Sequence, residues 1–179
     1  MAQTNRAAKN GLKGLETVRR VLSSIGWKPE ETDYEGVLRV DFSEDNIPIA
    51  DALADVRIEY ERFIYYLNFR ERVPAKLRHE VMVFVTRANV DLVTGNFEFN
   101  LDDGTIRFKS SIDFTNVELS ESLIRNVIRS SRDVVEQYAD AAVKVIRGEK
   151  SAKQALEEAE SGAGSDEAQR PKLFPEVKT

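Results

Sequence analysis

GNFEFNLDDGTIRFK, residues 95–109, predicts a β-hairpin. An Asp-Gly pair is the strongest short signal for a two-residue hairpin turn, and placing Asp103-Gly104 at the centre pairs apolar with apolar and acid with base. In this register the facing residues are Leu101 and Ile106, Asn100 and Arg107, Phe99 and Phe108, and Glu98 and Lys109. Because a one-residue slip would turn every side chain to the wrong face, the pattern predicts this register. It also assigns Asp102 and Asp103 to the turn rather than to a site.

Three further strands are predicted before the hairpin. In the first, Leu38, Val40 and Phe42 alternate with charged residues, as in a half-buried strand. The second is residues 56–61, where apolar and charged residues alternate again. The third, residues 63–67, is apolar at every position, which is typical of a strand covered on both faces. The Ala-rich residues 49–55 are compatible with either a helical turn or a strand edge.

Apolar residues at helical spacing predict three long helices. The first covers residues 12–25 and ends at Gly26, with Trp27 in the position of a Schellman contact. The second starts at Pro74 and ends before Gly95, and its apolar stripe comprises Leu77, Val81, Phe84, Val85, Ala88 and Leu92. The third covers residues 119–147, and its apolar side comprises Leu123, Val127, Val134, Tyr138 and Val145.

Two polar patterns accompany these helices. Asn89 lies beside the stripe of the second helix, so we expect its side chain to bond a backbone group of a strand. Ser151 and Gln154 have the spacing of a capping box, which predicts a short fourth helix. From residue 161 onward no core-forming period remains. The chain is therefore divided into an N-terminal extension (1–11), a folded domain (12–160) and a flexible C-terminal tail (161–179).

No residue pattern supports catalysis, a cofactor or a metal site. Cysteine is absent, and the single histidine, His79, points away from the stripe of its helix, so we expect it to be solvated. Glu59 and Glu61 fall at alternate positions of the predicted second strand, which is the ordinary wet face of a half-buried sheet. We therefore assign no catalytic, cofactor-binding or metal-binding residues.

Charge and hydropathy limit the partners and the compartment. The chain has 31 acidic and 26 basic residues, and a net charge of -5 argues against a broad nucleic-acid surface. No run is apolar enough to span a bilayer. We expect neither a nucleic-acid nor a membrane partner, and the cytoplasm is the simplest compartment.

One strand is apolar on both faces, although few helices are predicted to cover the sheet. An apolar sheet face without a helical cover is typical of a protein-binding or dimer surface. Residues with the wrong parity for the core are the candidates, and we select Ile64, Tyr66 and Phe69. We expect a protein partner and a homodimer.

The order helix, three strands, helix, hairpin, long helix resembles the YbjN family of bacterial proteins, often labelled sensory-transduction regulators. The resemblance covers residues 12–159 and is carried by Gly26-Trp27, Arg62-Phe63-Ile64-Tyr65-Tyr66, Val73-Pro74, Ala88-Asn89, Gly95-Asn96-Phe97-Glu98, Asp103-Gly104, Tyr138, Val145-Ile146-Arg147-Gly148 and Ala155. It implies an α+β fold of order α-β-β-β-α-β-β-α, with helices packed on one face of an antiparallel sheet, as in type III secretion chaperones. Such chaperones dimerise and hold extended partner segments. The resemblance carries over no catalytic residue.

Two functions follow from these observations. The first is a non-enzymatic protein-binding module, chaperone-like or regulatory, that captures a partner segment on its sheet or groove through edge pairing and apolar pockets. The alternative is a small-molecule-binding protein or hydrolase that uses buried carboxylates, which requires a concave pocket with convergent polar groups.

Overall fold

The structure is a computed structural model that describes the backbone of residues 2–90 and 92–161, and the side chains from Arg6 onward. Four helices and six strands make up this part of the chain. In chain order they are α1 (Ala2–Ser24), β1 (Glu30–Glu31), β2 (Val37–Asp41), β3 (Ile49–Arg57), β4 (Arg62–Phe69), α2 (Arg78–Ala88), β5 (Asn96–Phe99), β6 (Ile106–Asp113), α3 (Glu121–Ile146) and α4 (Ala152–Ser161). Short 3-10 helices, Ile58–Tyr60 and Ala75–Leu77, follow β3 and precede α2.

All six strands form one antiparallel sheet with the spatial order β1-β2-β3-β4-β6-β5. The hairpin formed by β5 and β6 therefore lies at one edge, with β6 paired to the central strand β4. The α+β class is confirmed. The observed element order adds the two-residue strand β1 to the order that the resemblance implies, and the short fourth helix predicted from the capping box is α4.

Burial alternates strictly along β4, which shows that the helices cover one face of the sheet. Phe63, Tyr65 and Leu67 are buried, whereas the residues between them are only half-buried. The same side of the other strands supplies Leu38, Val40, Ala52, Ala54, Val56, Phe97, Ile106 and Phe108 to the core. The helices supply Val18, Val21, Leu22, Val81, Phe84, Ile124, Val135, Ala142 and Ala155.

The predicted hairpin forms, but its register differs by two residues. Phe108 faces Phe97 rather than Phe99, and Phe99 faces Ile106. A shift of two keeps each side chain on its predicted face. The turn is longer than predicted because residues 100–105 form a closed loop, in which Gly104 N donates to Asn100 O and Gly104 O accepts a 2.8 Å bond from Val73 N. Tertiary contact with the segment before α2 therefore overrides the two-residue turn.

The predicted second strand, residues 56–61, is wrong beyond its start. The ambiguous residues 49–55 form most of β3, and the chain then turns through Ile58–Tyr60. Glu61 adopts a left-handed backbone with φ 51° and is buried, so it is not part of a wet strand face. This strand was not predicted because alanines occupy core-facing positions of β3, and alanine has a low β propensity.

Local signals at two helix ends are confirmed. Gly26 has φ 88°, and Trp27 N donates to Leu22 O over 3.1 Å, the long bond of a Schellman motif. Ser151 and Gln154 exchange the bonds of a capping box at the start of α4. The α1 helix begins at Ala2, so the predicted boundary between residues 11 and 12 lies inside a helix.

The apolar side of α3 is only partly as predicted. Val127, Tyr138 and Val145 are buried, whereas Leu123 is 38% exposed. Additional core positions are Ile124, Ile128, Val135 and Ile146. The buried arc is wide because α3 packs against the sheet and against α1, α2 and α4 at once. The predicted tail lies outside the described residues from position 162 onward.

Candidate interaction surface

One face of the sheet has no helical cover within the described part of the chain. We call it the open face and define it by the outward residues Val37, Arg39, Asp41, Asp51, Leu53, Asp55, Arg57, Arg62, Ile64, Tyr66, Asn68, Asn96, Glu98, Arg107, Lys109, Ser111 and Asp113. Most of these side chains are half-buried or exposed. The open face is thus a broad, accessible surface built on five rigid strands.

The centre of the open face is apolar. Leu53 on β3 faces Tyr66 on β4, and Ile64 lies two residues from Tyr66 on the same side. Val37 on β2 adds a fourth apolar side chain, and all four are half-buried. Cross-strand apolar pairs of this kind stabilise a sheet and leave a patch that a second surface can cover.

A group of three charges lies on the β2–β3 side of this centre. Arg39 Nε donates to Asp51 Oδ2 over 3.1 Å, and its Nη1 lies 3.6 Å from Asp41 Oδ2. The bond to Asp51, together with the charges of both carboxylates, raises the pKa of Arg39 despite its partial burial. Asn68 Nδ2 also donates to Asp51 Oδ1 over 2.6 Å. We call Arg39, Asp41 and Asp51 the acidic triad, since two carboxylates share one guanidinium.

The opposite arrangement lies on the β6–β5 side. Glu98 accepts from Arg107 Nε over 2.8 Å and from Lys109 Nζ. Burial alone would raise the pKa of Glu98, but the bonds from Lys109 and Arg107 outweigh it and lower that pKa. Arg107 also lies 4.2 Å from the centroid of the Tyr66 ring, within cation–π distance. We call Glu98, Arg107 and Lys109 the basic triad.

Asp55 is an unusual member of the open face because it is buried. It lies between Val37 and Ile64 in the register, and its Oδ2 forms a 2.9 Å ion pair with Arg57. Its Oδ1 has no hydrogen-bond partner within the part of the chain that the structure describes. Burial raises the pKa of Asp55, and the nearby Arg57 only partly opposes this shift.

The two edges of the sheet are poorly suited to pairing with another strand. At the β5 edge, Asn89 occupies both outward backbone groups of Phe97: Phe97 N donates to Asn89 Oδ1 over 2.8 Å, and Asn89 Nδ2 donates to Phe97 O over 3.0 Å. The predicted backbone bond of Asn89 is thus confirmed. At the other edge, β1 is only two residues long and carries Glu30 and Glu31. Short and charged edges discourage strand addition.

Two of the three predicted interface residues lie on the open face. Ile64 and Tyr66 are half-buried there, whereas Phe69 is only 8% exposed and lies on the helix-covered side. Its ring centroid is 6.3 Å from that of Phe97. Phe69 is therefore a core residue, because it shares the odd parity of Phe63 and Leu67. The predicted solvation of His79 is confirmed, since the residue is exposed.

The buried carboxylates do not converge. Glu61 accepts bonds from Asn10 Nδ2 and from Asn116 N, and so ties α1 to the loop after β6. Asp55 is paired with Arg57 on the open face. Among the described residues, no group of three or more His, Cys, Asp or Glu side chains could hold a metal ion. The two buried carboxylates of the described residues, Asp55 and Glu61, are therefore not paired with each other for acid–base chemistry.

The sequence did not reveal the acidic triad or Leu53. Both depend on assigning residues 49–57 to a strand. A signal was present, because Ala52 and Ala54 alternate with Asp51, Leu53 and Asp55 at a period of two. Alternation of small inward residues with Asp51, Leu53 and Asp55 is the pattern that a sheet face against packed helices produces.

Residues 14–143 match the model of the YbjN family, which is described as "Putative bacterial sensory transduction regulator". The chain therefore belongs to the YbjN family. None of the curated proteins matches it. Within the described residues, no helix combines the length and the apolar character needed to cross a membrane.

The fold is similar to that of a solved member of the family. The crystal structure is that of YbjN from E. coli, described as a putative transcription regulator. The two folds superpose with a TM-score of 0.55 over 75% of this chain and 90% of that chain. Identity is 13%, so the likeness establishes the fold alone.

Proposed function

We propose that this protein is a non-enzymatic regulatory module that binds a protein partner through the open face, in the manner of a chaperone or an adaptor. The observation that carries the proposal is the apolar centre formed by Leu53, Ile64 and Tyr66, on a sheet face that no helix of the described residues covers. Exposed apolar patches rimmed by charged residues are typical of protein-binding sites. Membership in a family described as regulators supports the regulatory part of the proposal.

The mode of binding follows from the state of the edges. Edge pairing requires a row of free backbone groups, but Asn89 occupies those of Phe97 and β1 spans only two residues. The face offers side chains instead of backbone groups. We therefore infer that the partner packs against the face, as one layer packs on a sheet, rather than extending the sheet by a strand.

The location that we propose is the cytoplasm. The chain contains no cysteine and therefore forms no disulfide bond, whereas disulfide bonds are typical of proteins in oxidising compartments. The net charge of -5 disfavours a nucleic-acid surface as the target of the module. A protein partner remains the best match to a face whose charges are paired with one another.

Photo-crosslinking tests this proposal. A photoreactive residue is placed at Ile64 on the open face, and a matched one at exposed His79 on α2, in the cells that produce the protein. We expect a discrete cross-linked protein species from position 64 and none from position 79. Tyr66→Glu should abolish the species, whereas Val93→Glu, at a position that is 97% exposed, should not. Equal cross-linking from both positions would contradict the proposal.

A further inference from the structure

We infer that a second copy of this chain occupies the open face, in a dimer whose two-fold axis runs along β4. The inference rests on the proposed function, because it names a partner for the same surface. It is carried by the arrangement of the two triads around β4. The acidic triad contains two carboxylates and one guanidinium, and the basic triad contains two cations and one carboxylate.

The triads lie at matching distances from β4. Asp51 is on β3 and Arg107 is on β6, and both strands are direct neighbours of β4. The outer members Arg39 and Asp41 on β2, and Glu98 on β5, are one strand further out on each side. Lys109, the third member of the basic triad, lies on β6 beside Arg107. The charged residues next to β4 are thus acidic on the β3 side and basic on the β6 side, and the two triads have opposite net charge.

The triads also lie at the same height along β4. Asp51 and Arg107 both face Asn68 across the neighbouring strands, so these three residues form one row. Leu53 and Lys109 both face Tyr66, which makes the adjacent row. Asp51 and Arg107 are therefore equivalent in position along the strands as well as across them, whereas Lys109 is matched by the apolar Leu53.

A two-fold axis parallel to β4 exchanges the two sides and preserves the rows. Two faces stacked about this axis bring Asp51 of one copy over the partner's Arg107, and the same pair recurs on the other side because an isologous contact occurs twice. Tyr66 and Ile64 lie near the axis and pack on their own copies. At the rim, Asp41 approaches the partner's Glu98, but Arg39 and Lys109 already accompany these carboxylates. The net charges of the facing triads are opposite.

The size of the open face suits a reversible dimer. Five strands about 4.8 Å apart and three rows about 6.8 Å apart give a footprint of roughly 24 by 20 Å. Two copies would bury about 1,000 Å² in total, the lower limit for a specific interface. We expect a concentration-dependent equilibrium rather than a permanent dimer.

Charge reversal with mixing tests the inference. Arg107→Glu makes both sides of the face acidic, and Asp51→Lys makes both sides basic. In sedimentation experiments on the full chain, each variant alone should self-associate at least tenfold more weakly than the parent, since like charges then face each other. An equimolar mixture should recover the dimer, because each reversed side then faces its opposite.

Three further measurements make the result decisive. Thermal melts identify a charge-reversal variant that does not fold. In that case Asp51→Asn and Arg107→Gln replace it, and each neutral variant should self-associate more weakly than the parent. The parent dimer should weaken between low and high salt, since its facing triads are partly exposed. Tyr66→Glu should abolish the dimer in a folded chain.

The outcomes separate the inference from the proposed function. A parent chain that stays monomeric at 100 micromolar, or a dimer that neither reversal affects, overturns the inference. A monomer that still cross-links another protein from position 64 overturns the inference and keeps the proposed function. A parent dimer together with a mixture that recovers supports the inference even where no other protein cross-links.

Discussion

The side-chain amide of Asn89 forms hydrogen bonds with both backbone polar groups of Phe97, at 2.8 Å and 3.0 Å. This contact joins the end of α2 to the outer strand β5. It provides hydrogen-bond partners for the backbone N–H and C=O of buried Phe97, which point away from the sheet and would otherwise lack strong partners. It also removes the free backbone groups from the middle of an edge strand.

Asn89→Ala should therefore destabilise the fold by about 2 kcal/mol, because it leaves Phe97 N unpaired beside the core and Phe97 O with only the longer bond from Asn96. Asn96→Ala is the matched control, since Asn96 makes a single longer bond of 3.3 Å to Phe97 O. We expect the control to cost less than about 1 kcal/mol. Urea titration measures the free energy of unfolding of both variants. Similar losses would contradict the proposed importance of the contact between Asn89 and Phe97.

The observed hairpin register predicts different costs for two phenylalanines. Phe97 is 2% exposed, and its ring packs edge-to-face on Phe108 and Tyr138 at 5.1 and 6.0 Å. Phe97→Ala should cost about 3–5 kcal/mol, as truncation of a core aromatic does. Phe99 is half-buried, so Phe99→Ala should cost roughly 1–2 kcal/mol. The two-residue-turn register instead places Phe99 opposite Phe108 and predicts a cost of about 3–5 kcal/mol for Phe99→Ala as well. Chemical denaturation of the two variants distinguishes the registers.

Asp55 should make stability depend on pH. Burial raises the pKa of its carboxyl in the folded state above the ordinary value of 3.8. The folded chain therefore binds this proton more tightly than the unfolded chain does. The resulting contribution to stability is present at low pH and is lost as pH rises through the raised pKa. Asp55→Asn removes the effect and retains the shape.

The measurement for Asp55 is the change with pH in the stability difference between the parent and the variant. Unfolding free energies of the parent and of Asp55→Asn are compared at pH 4 and at pH 7, so that contributions from other carboxylates cancel. The variant should gain stability relative to the parent between pH 4 and pH 7. A relative loss over that interval would mean that Arg57 outweighs burial.

The folded domain should not require the C-terminal tail. The loss of periodicity from residue 161 onward motivates this prediction. A chain that ends at Ser161 should melt cooperatively within a few degrees of the full chain. A large fall in melting temperature, reversed when Leu173 and Phe174 are restored, would show that the tail packs on the domain.

Features that depend on a few neighbouring residues could be predicted from the sequence. The Schellman end at Gly26, the capping box at Ser151 and the alternation of strand faces rest on contacts within one turn or one strand. The partner of Asn89 could be predicted in kind, because a half-buried amide needs a backbone partner. These signals determined the order of most elements, and the resemblance to the YbjN family, which rests on that order, implied the α+β class.

Only the tertiary structure decided the hairpin register, the strand β3 and the side of Phe69. The loop 100–105 takes its shape from its bond to Val73, which lies on a distant segment. Residues 63–67 of β4 are apolar on both faces, so this run by itself does not indicate which face the helices cover. Arg62 and Asn68, at the two ends of the outward face, are the only polar signal in the strand. The grouping of charges into two opposite triads depends on the order of strands in the sheet. Periodicity is a local property, whereas the uncovered face depends on where α1, α2 and α3 pack.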